Sequence, residues 1–128
     1  MQPSAMERVK DAKSRIENLT VDQAAREVAD GALLVDIREE NERRDHGAIP
    51  GAVHMPRGML EFYADGSLPY HRKELQRDRR IVLHCASGGR SALSADLLRD
   101  MGYSNVAHMD GGFNAWKAAG KPIERPAV

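Results

Sequence analysis

The single cysteine of this chain lies where an apolar run gives way to small residues and glycines. The segment reads IVLHCASGGRSALSADLLRDMG (residues 81–102), and the cysteine is Cys85. The apolar run predicts a buried strand, and the leucine spacing after it predicts a helix that begins near Arg90 or Ser91. Cys85 is therefore expected to face the unpaired N–H groups and the partial positive charge of a helix N-terminus.

The residues after Cys85 favour the ionised form of its thiol. Gly88 and Gly89 allow a positive φ, so consecutive amides can form an anion-binding nest, and Arg90 adds a permanent positive charge. A thiol with a pKa of about 8.5 is only about 3% ionised at pH 7, whereas a pKa of about 7 makes about half of it thiolate, the nucleophilic form. A lone cysteine is more often an inert buried side chain, and two glycines alone predict only a turn. The combination favours a reactive Cys85 and an anionic substrate.

The composition is typical of a globular protein with one domain. The chain has 128 residues, of which 41% are hydrophobic and 30% charged, and 19 basic residues balance 19 acidic ones. This balance gives no support for a nucleic acid or an anionic membrane as partner. A single cysteine forms no internal disulfide, no apolar run reaches the roughly 20 residues of a membrane span, and the polar N-terminus is unlike a secretion signal. We therefore expect a cytoplasmic protein.

Short apolar runs alternate with helical patterns along the chain. Strands are expected at residues 32–37, 52–54, 80–85 and 105–109, and helices at 5–18, 20–31, 38–47, 90–102 and 111–120, with an irregular segment over 57–73. This alternation predicts an α/β domain, in which helices cover both faces of a parallel sheet. Ligands bind beyond the carboxyl ends of the strands in such sheets, and Cys85 lies at that edge.

Four motifs in a fixed order carry a resemblance to a known family. They are LLVDIRE (33–39), HGAIPGAVHMPRG (46–58), IVLHCASGGRSA (81–92) and MDGGFNAWKAAGKPI (109–123). The sequence resembles a single-domain rhodanese, a thiosulfate sulfurtransferase-like protein. The resemblance implies one rhodanese-like α/β domain over residues 20–124, with a parallel sheet of about five strands and helices on both faces. Residues 1–19 lie outside it and are expected to form an extra N-terminal helix.

The resemblance also implies a site and a reaction. It makes Cys85 the nucleophile at the start of an active loop whose other members are Ala86, Ser87, Gly88, Gly89 and Arg90, with Ser91 in support. The implied reaction begins when the Cys85 thiolate attacks the outer sulfur of a donor such as thiosulfate. The sulfur then stays on Cys85 as a persulfide until a thiophilic acceptor, cyanide or a thiol, removes it. No metal and no organic cofactor is implied.

Three further residues are candidate supporting residues of the site: Asp36, Arg38 and Arg57. Asp36 and Arg38 follow a buried strand, and we favour a structural ion pair or loop-bracing hydrogen bonds over a place in the pocket. Arg57 opens the irregular segment at the carboxyl edge of the sheet, where pocket-lining and packing roles fit the sequence equally well. His84 precedes Cys85 on a strand, so its ring should point away from the nucleophile. The remaining histidines are too scattered to predict a metal site.

Three functions stay open on the sequence alone. The leading one is a sulfurtransferase that uses a small-molecule sulfur donor and a thiol or cyanide acceptor. The second is a persulfide carrier that passes the sulfur of Cys85 to a protein acceptor and turns over small donors poorly, which would suit the uncharged loop interior ASGG. The third is a phosphatase or arsenate reductase, which the loop length disfavours because those relatives have one more loop residue. The sequence is compatible with a monomer or a homodimer.

Overall fold

The described residues, 2 and 4–126 in the computed structural model, form one parallel sheet of five strands with helices on both faces. The strands are β1 (Glu17–Leu19), β2 (Leu33–Asp36), β3 (Val53–His54), β4 (Ile81–His84) and β5 (Val106–Met109). The helices are α1 (Ala5–Arg15), α2 (Val21–Ala29), α3 (Glu40–His46), α4 (Leu60–Ala64), α5 (Gly89–Asp100) and α6 (Gly112–Ala118). The strand order is β1-β5-β4-β2-β3, and every pair is parallel. The predicted α/β fold is confirmed.

Successive side chains of the central strands enter two separate cores, because they point to opposite faces of the sheet. In β4, Ile81 and Leu83 pack in the core that contains Leu98 of α5. Val82, which lies between them, packs in the core that contains Phe113 of α6. Burial on both faces explains why such a strand has a continuous apolar sequence, and it fixes the position of the residues that follow β4.

The N-terminal segment contributes a helix and also an edge strand. Helix α1 buries Val9 and Ala12 against α5. The prediction of a helix as far as residue 18 is wrong at its end, because α1 stops at Arg15 and β1 pairs with β5. Only one residue of β1, Leu19, is buried, so the strand owes its conformation to its neighbour in the sheet rather than to its own pattern. The division at residues 19 and 20 stays a prediction.

The helices of this protein are short. The longest of them, α5, has 12 residues, and α1 has 11. A helix needs about 20 residues to cross the hydrocarbon core of a bilayer. Within the part of the chain that the structure describes, no helix is both long enough and apolar enough to do so.

The carboxyl ends of the central strands bring three chemically distinct segments to one edge of the sheet. β2 ends at Asp36, β4 is followed by Cys85, and β5 is followed by Asp110. Helix α5 begins four residues after Cys85, and α6 begins two residues after Asp110. The edge therefore collects two helix N-termini and the only cysteine of the chain, as the sequence predicts for its ligand-binding side.

Candidate active site

Backbone donors of the loop between β4 and α5 surround the sulfur atom of Cys85. The N–H of Gly88 donates to Sγ at 3.2 Å, and the N–H of Ser91 donates to it at 3.4 Å. The thiol in turn donates to Oγ of Ser91 at 3.6 Å. Ser91 lies in the first turn of α5, where N–H groups have no partner within the helix. The helix N-terminus therefore faces the sulfur as the sequence predicts.

A glycine is required at position 88 for two reasons. Its φ of 109° lies in the left-handed region, which residues with a Cβ rarely adopt. A Cβ there would also lie 3.2 Å from Oδ1 of Asp110 and 3.2 Å from the amide nitrogen of Gly111. The loop therefore packs directly against the segment that follows β5.

Two opposing effects set the pKa of the Cys85 thiol. Burial raises it, because the residue is only 1% exposed. Hydrogen bonds from the Ser91 side chain and from the backbones of Ser91, Gly88 and Ser87 stabilise the thiolate, and they bring the pKa below its ordinary value. A buried thiol with a lowered pKa is suited to act as a nucleophile.

The guanidinium of Arg90 interacts with Cys85 and also forms an ion pair with Glu42, a partner that the sequence does not predict. Its guanidinium donates two hydrogen bonds of 2.8 Å to the two carboxylate oxygens of Glu42 in α3. The bidentate pair lowers the pKa of Glu42 to about 2, and the charge of Cys85 acts on the same guanidinium. The positive charge that the sequence assigns to the thiolate is therefore partly neutralised by Glu42. No local pattern indicates this partner, which is 48 residues away.

Glu42→Gln is expected to increase the thiolate fraction of Cys85. The change removes the negative charge that competes for Arg90, so more of the guanidinium field acts on the sulfur. Because the ion pair is partly exposed, we expect a gain of about 0.2–1 kcal/mol, or about 1.4- to fivefold more thiolate at pH values well below the pKa of Cys85. Titration of the ultraviolet absorbance of the thiolate measures the change. Glu40→Gln, at an exposed position of the same helix, is the control, and a higher Cys85 pKa in Glu42→Gln would contradict the expectation.

The first residues of α6 hold the other side of the loop. The N–H of Phe113 donates to the carbonyl oxygen of Cys85 at 2.8 Å, and the N–H of Asn114 donates to that of Ala86 at 3.0 Å. Gly112 lies so close that a Cβ would be 2.6 Å from the Cys85 oxygen. The DGGF sequence at residues 110–113 therefore braces the active loop as well as packing the last helix.

Asp36 and Arg38 form a buried ion pair at the end of β2. Nη2 of Arg38 lies 2.8 Å from Oδ2 of Asp36 and donates to the carbonyl oxygen of Gly47 at 2.9 Å. The guanidinium also stacks 4.2 Å from the centre of the Phe113 ring. Both side chains are at most 1% exposed. The pair ties β2 to the end of α3 and to α6, which matches the structural ion pair expected from the sequence.

His84 is directed to this ion pair rather than to the nucleophile. Its Nε2 lies 3.7 Å from Oδ2 of Asp36, and both side chains are fully buried. Burial lowers the pKa of His84, so the ring is neutral at pH 7. Among the described residues, its ring makes no hydrogen bond to Sγ of Cys85, in agreement with the orientation expected for neighbours on a strand.

Arg57 lines a different cavity from the one that reaches the loop. It borders a space of about 340 Å³ between α1 and α5, together with Arg8 and Leu93. Within residues 4–126, its guanidinium makes no hydrogen bond to the loop of Cys85. The cavity that reaches Ala86 measures about 240 Å³. Its other lining residues are Arg38, Glu42, His46, Phe113, Asn114 and Lys117. A supporting role for Arg57 stays a prediction.

The fold and the loop of Cys85 both lie within a segment that matches a known protein family. The profile of the Rhodanese-like domain matches residues 20–119, which include β2 to β5 and the whole loop of Cys85. The chain belongs to the rhodanese-like domain family. The family expected from the four sequence motifs is confirmed.

Two relatives of this rhodanese-like domain carry sulfurtransferase names. A Sulfurtransferase from Allochromatium vinosum is 36% identical over 94 residues, which cover 73% of this chain and 79% of that protein. The Thiosulfate sulfurtransferase GlpE of Haemophilus influenzae is 34% identical over 110 residues, which cover 84% of this chain and 94% of that protein. In both cases the similarity spans most of each chain rather than a short motif.

One solved structure matches the rhodanese-like chain over nearly its full length. This protein from Rhodopseudomonas palustris is 42% identical, covers 97% of this chain with 96% of its own, and superimposes with a TM-score of 0.90. It is described as a protein of unknown function, possible tyrosine phosphatase. With 97% coverage, the similarity extends into the segment before residue 20, where the family profile does not reach.

Proposed function

We propose that this protein is a sulfurtransferase that moves a sulfane sulfur through a persulfide on Cys85. The rhodanese-like family and the sulfurtransferase-named relatives support sulfurtransferase activity in general. The observation that carries the specific mechanism is the position of Sγ between the amides of Gly88 and Ser91, which stabilise negative charge on sulfur. The donor is thiosulfate or a similar sulfane compound, and the acceptor is cyanide or a thiol.

The transfer consists of two displacements at sulfur. The Cys85 thiolate attacks the outer sulfur of thiosulfate, a bond from Sγ to that sulfur forms, and the sulfur–sulfur bond to the sulfite group breaks. Sulfite leaves with the electron pair of that bond. The acceptor, as cyanide or a thiolate, then attacks the outer sulfur of the persulfide, and Cys85 leaves as a thiolate. The loop amides stabilise the sulfur anion at the start and at the end of the cycle.

The cavity beside Ala86 supplies positive charge that the loop interior lacks. Its lining includes Lys117, while Arg38, also in the lining, is paired with Asp36 and the one carboxylate, Glu42, is paired with Arg90. An anionic donor such as thiosulfate is attracted to such a surface. The uncharged ASGG interior is therefore compatible with an anionic donor.

A phosphatase is the second candidate, because the similar protein from Rhodopseudomonas palustris is described as a possible tyrosine phosphatase. Two observations disfavour it. Only four residues separate Cys85 from Arg90, one fewer than in the related phosphatases. The Arg90 guanidinium, which would have to bind phosphate oxygens, is held by Glu42 in a bidentate pair.

The decisive experiment is the intact mass of the protein before and after incubation with thiosulfate. We expect a gain of one sulfur atom that cyanide removes, and no gain in Cys85→Ser, because the hydroxyl forms no persulfide. Steady-state turnover of thiosulfate and cyanide then separates an enzyme from a persulfide carrier, which would form the adduct and turn over slowly. If no adduct forms with thiosulfate or a second persulfide donor, while an aryl phosphate is hydrolysed in a Cys85-dependent way, the proposal is wrong and the phosphatase stands.

A further inference from the structure

A chain of hydrogen bonds leads from Cys85 through the fold to the N-terminal segment. Oγ of Ser91, which accepts from the Cys85 thiol, lies 2.9 Å from Nδ1 of His108 in β5. Nε2 of His108 lies 2.7 Å from Oδ1 of Asn18 in β1. Side-chain nitrogen Nδ2 of Asn18 donates to the backbone oxygens of Lys13 at 2.9 Å and Ile16 at 3.2 Å. Four consecutive polar groups are therefore connected without a gap.

Asn18, the residue of this hydrogen-bond network farthest from Cys85, determines the direction of the hydrogen bonds in it. Because Nδ2 of Asn18 is engaged by two carbonyl oxygens, Oδ1 faces His108 and can only accept, so Nε2 of His108 carries the proton. A neutral imidazole then presents the lone pair of Nδ1, at 2.9 Å, to the hydroxyl of Ser91, which donates to it in preference to the carbonyl oxygen of Gly88 at 3.3 Å. The free lone pair of Oγ is left to accept the thiol proton of Cys85. All four groups are thus aligned to move a proton away from sulfur.

We propose that His108, acting through Ser91, receives the proton of the Cys85 thiol, and that Asn18 holds His108 in the tautomer that can accept it. The thiol proton passes from Sγ to Oγ of Ser91 while the hydroxyl proton of Ser91 passes to Nδ1 of His108. The products are a Cys85 thiolate, a neutral Ser91 that now donates to it, and an imidazolium. Two protons each move by one hydrogen bond, the net change is one proton from sulfur to His108, and nothing is oxidised or reduced. The inference rests on the proposed function only in that this thiolate is its nucleophile.

The surroundings of His108 keep it able to accept a proton. It is fully buried, and burial lowers its pKa to about 4, so the ring is neutral at pH 7. The charged groups that act on it are Asp110, which raises its pKa, and Lys13 of α1, which lowers it. These two groups form an ion pair of 2.9 Å and act on His108 in opposite directions. The thiolate itself is the charge that favours the imidazolium once the proton has moved.

This proton relay, formed by Cys85, Ser91, His108 and Asn18, connects the N-terminal segment to the nucleophile. Asn18 precedes residue 20, where the family profile begins, and it enters the site because β1 pairs with β5 and places Asn18 beside His108. Lys13 and Ile16, whose carbonyl oxygens orient Asn18, belong to α1 and to the turn after it. His108 is a positioning residue in this scheme, since it acts on the sulfur through Ser91 and does not contact it.

The test is the rate at which iodoacetamide alkylates Cys85 as a function of pH, which needs no sulfur transfer. For a thiol without a relay, the rate falls about tenfold per pH unit below the thiol pKa. With the relay, the rate of the natural protein should level off at acid pH, because a fixed fraction of molecules has the proton on His108, and it should fall again as His108 titrates near about 4.

His108→Gln keeps hydrogen-bonding groups at this position but cannot accept the proton. We expect the acid plateau to disappear, so that the rate falls about tenfold for each pH unit across the range where the natural protein is level, with no change near pH 9, where hydroxide forms the thiolate. Ser91→Ala, which removes the intermediate hydroxyl, should lose the plateau as well, and it decides the matter if His108→Gln does not fold. His71→Gln, a histidine outside the chain of hydrogen bonds, should keep the natural profile.

A merely structural role of His108 predicts a different result. It would displace the whole rate profile along the pH axis, or lower it at every pH, and leave its shape unchanged; that outcome in both variants overturns the relay. Persulfide formation is measured separately near pH 9, where hydroxide can remove the thiol proton whatever His108 does. Loss of the plateau with a normal persulfide supports both proposals, whereas a normal plateau in the natural protein without any persulfide rejects the proposed function alone.

Discussion

Arg38→Met is expected to lower the free energy of unfolding by about 3–5 kcal/mol, because it leaves a buried carboxylate without its main partner. Asp36 is fully buried, and burial opposes its charge, whereas the hydrogen bonds and the positive charge of Arg38 lower its pKa. The substitution also removes the hydrogen bond to Gly47 and the stacking on Phe113. Two helices therefore lose their connection to the end of β2.

Urea unfolding of Arg38→Met and of the double variant Asp36→Asn, Arg38→Met tests this explanation. The double variant also removes the unpaired negative charge of Asp36. Its free energy of unfolding should therefore lie between those of Arg38→Met and the natural protein, since removal of a whole buried ion pair costs less than removal of one member. Arg44→Met is the control, because Arg44 is exposed and its ion pair with Asp45 is long, at 3.6 Å; we expect a change within about 0.5 kcal/mol. A loss in Arg38→Met no larger than in this control would mean that Arg43, whose Nε lies 3.2 Å from Oδ2 of Asp36, holds the carboxylate without Arg38.

The central strands and the nucleophile are predictable from the sequence because their signals are local. Burial on both faces gives β2 and β4 uninterrupted apolar sequences, and each predicted end lies within two residues of the observed one. Cys85 is recognisable from its place between a strand and a helix N-terminus. Strand β1 is not predictable in this way, because a polar three-residue edge strand is formed by pairing with β5.

The partners of the loop are not predictable because they come from distant segments. Glu42 binds Arg90 from α3, and the amides of α6 bind the carbonyl oxygens of the loop, yet neither contact leaves a spacing pattern in the sequence. His108 shows the same difficulty: one histidine on a buried strand gives no sign of a neighbour in β1. Arg57 follows β3 at the carboxyl edge of the sheet, and the structure shows it lining the cavity between α1 and α5. Local sequence therefore predicts the nucleophile better than its surroundings.

Gly112→Ala is expected to have a comparably large effect, on stability and on the site together. Gly112 has a φ of 59°, and a Cβ there would lie 2.6 Å from the carbonyl oxygen of Cys85 and 2.7 Å from that of Ala86. We expect a loss of roughly 2–5 kcal/mol, because the left-handed conformation costs a residue with a Cβ about 1–2 kcal/mol and an added methyl in close-packed surroundings about 1–3 kcal/mol.

The overlap in Gly112→Ala is with backbone atoms of the active loop, so it cannot be relieved by rotating a side chain. The loop carbonyls must move away from the amides of Phe113 and Asn114, and the donors around Sγ then move with them. Gly51→Ala is the matched control: its φ is 84°, but its Cβ would meet nothing within 4 Å, so it carries only the conformational cost of about 1–2 kcal/mol. Chemical unfolding and the thiolate titration of Cys85, measured on both variants, separate the two effects. If the Cys85 pKa rises in Gly112→Ala alone, the close approach of α6 holds the loop in the conformation that stabilises the thiolate; if both variants keep the natural pKa, the loop holds its shape without that support.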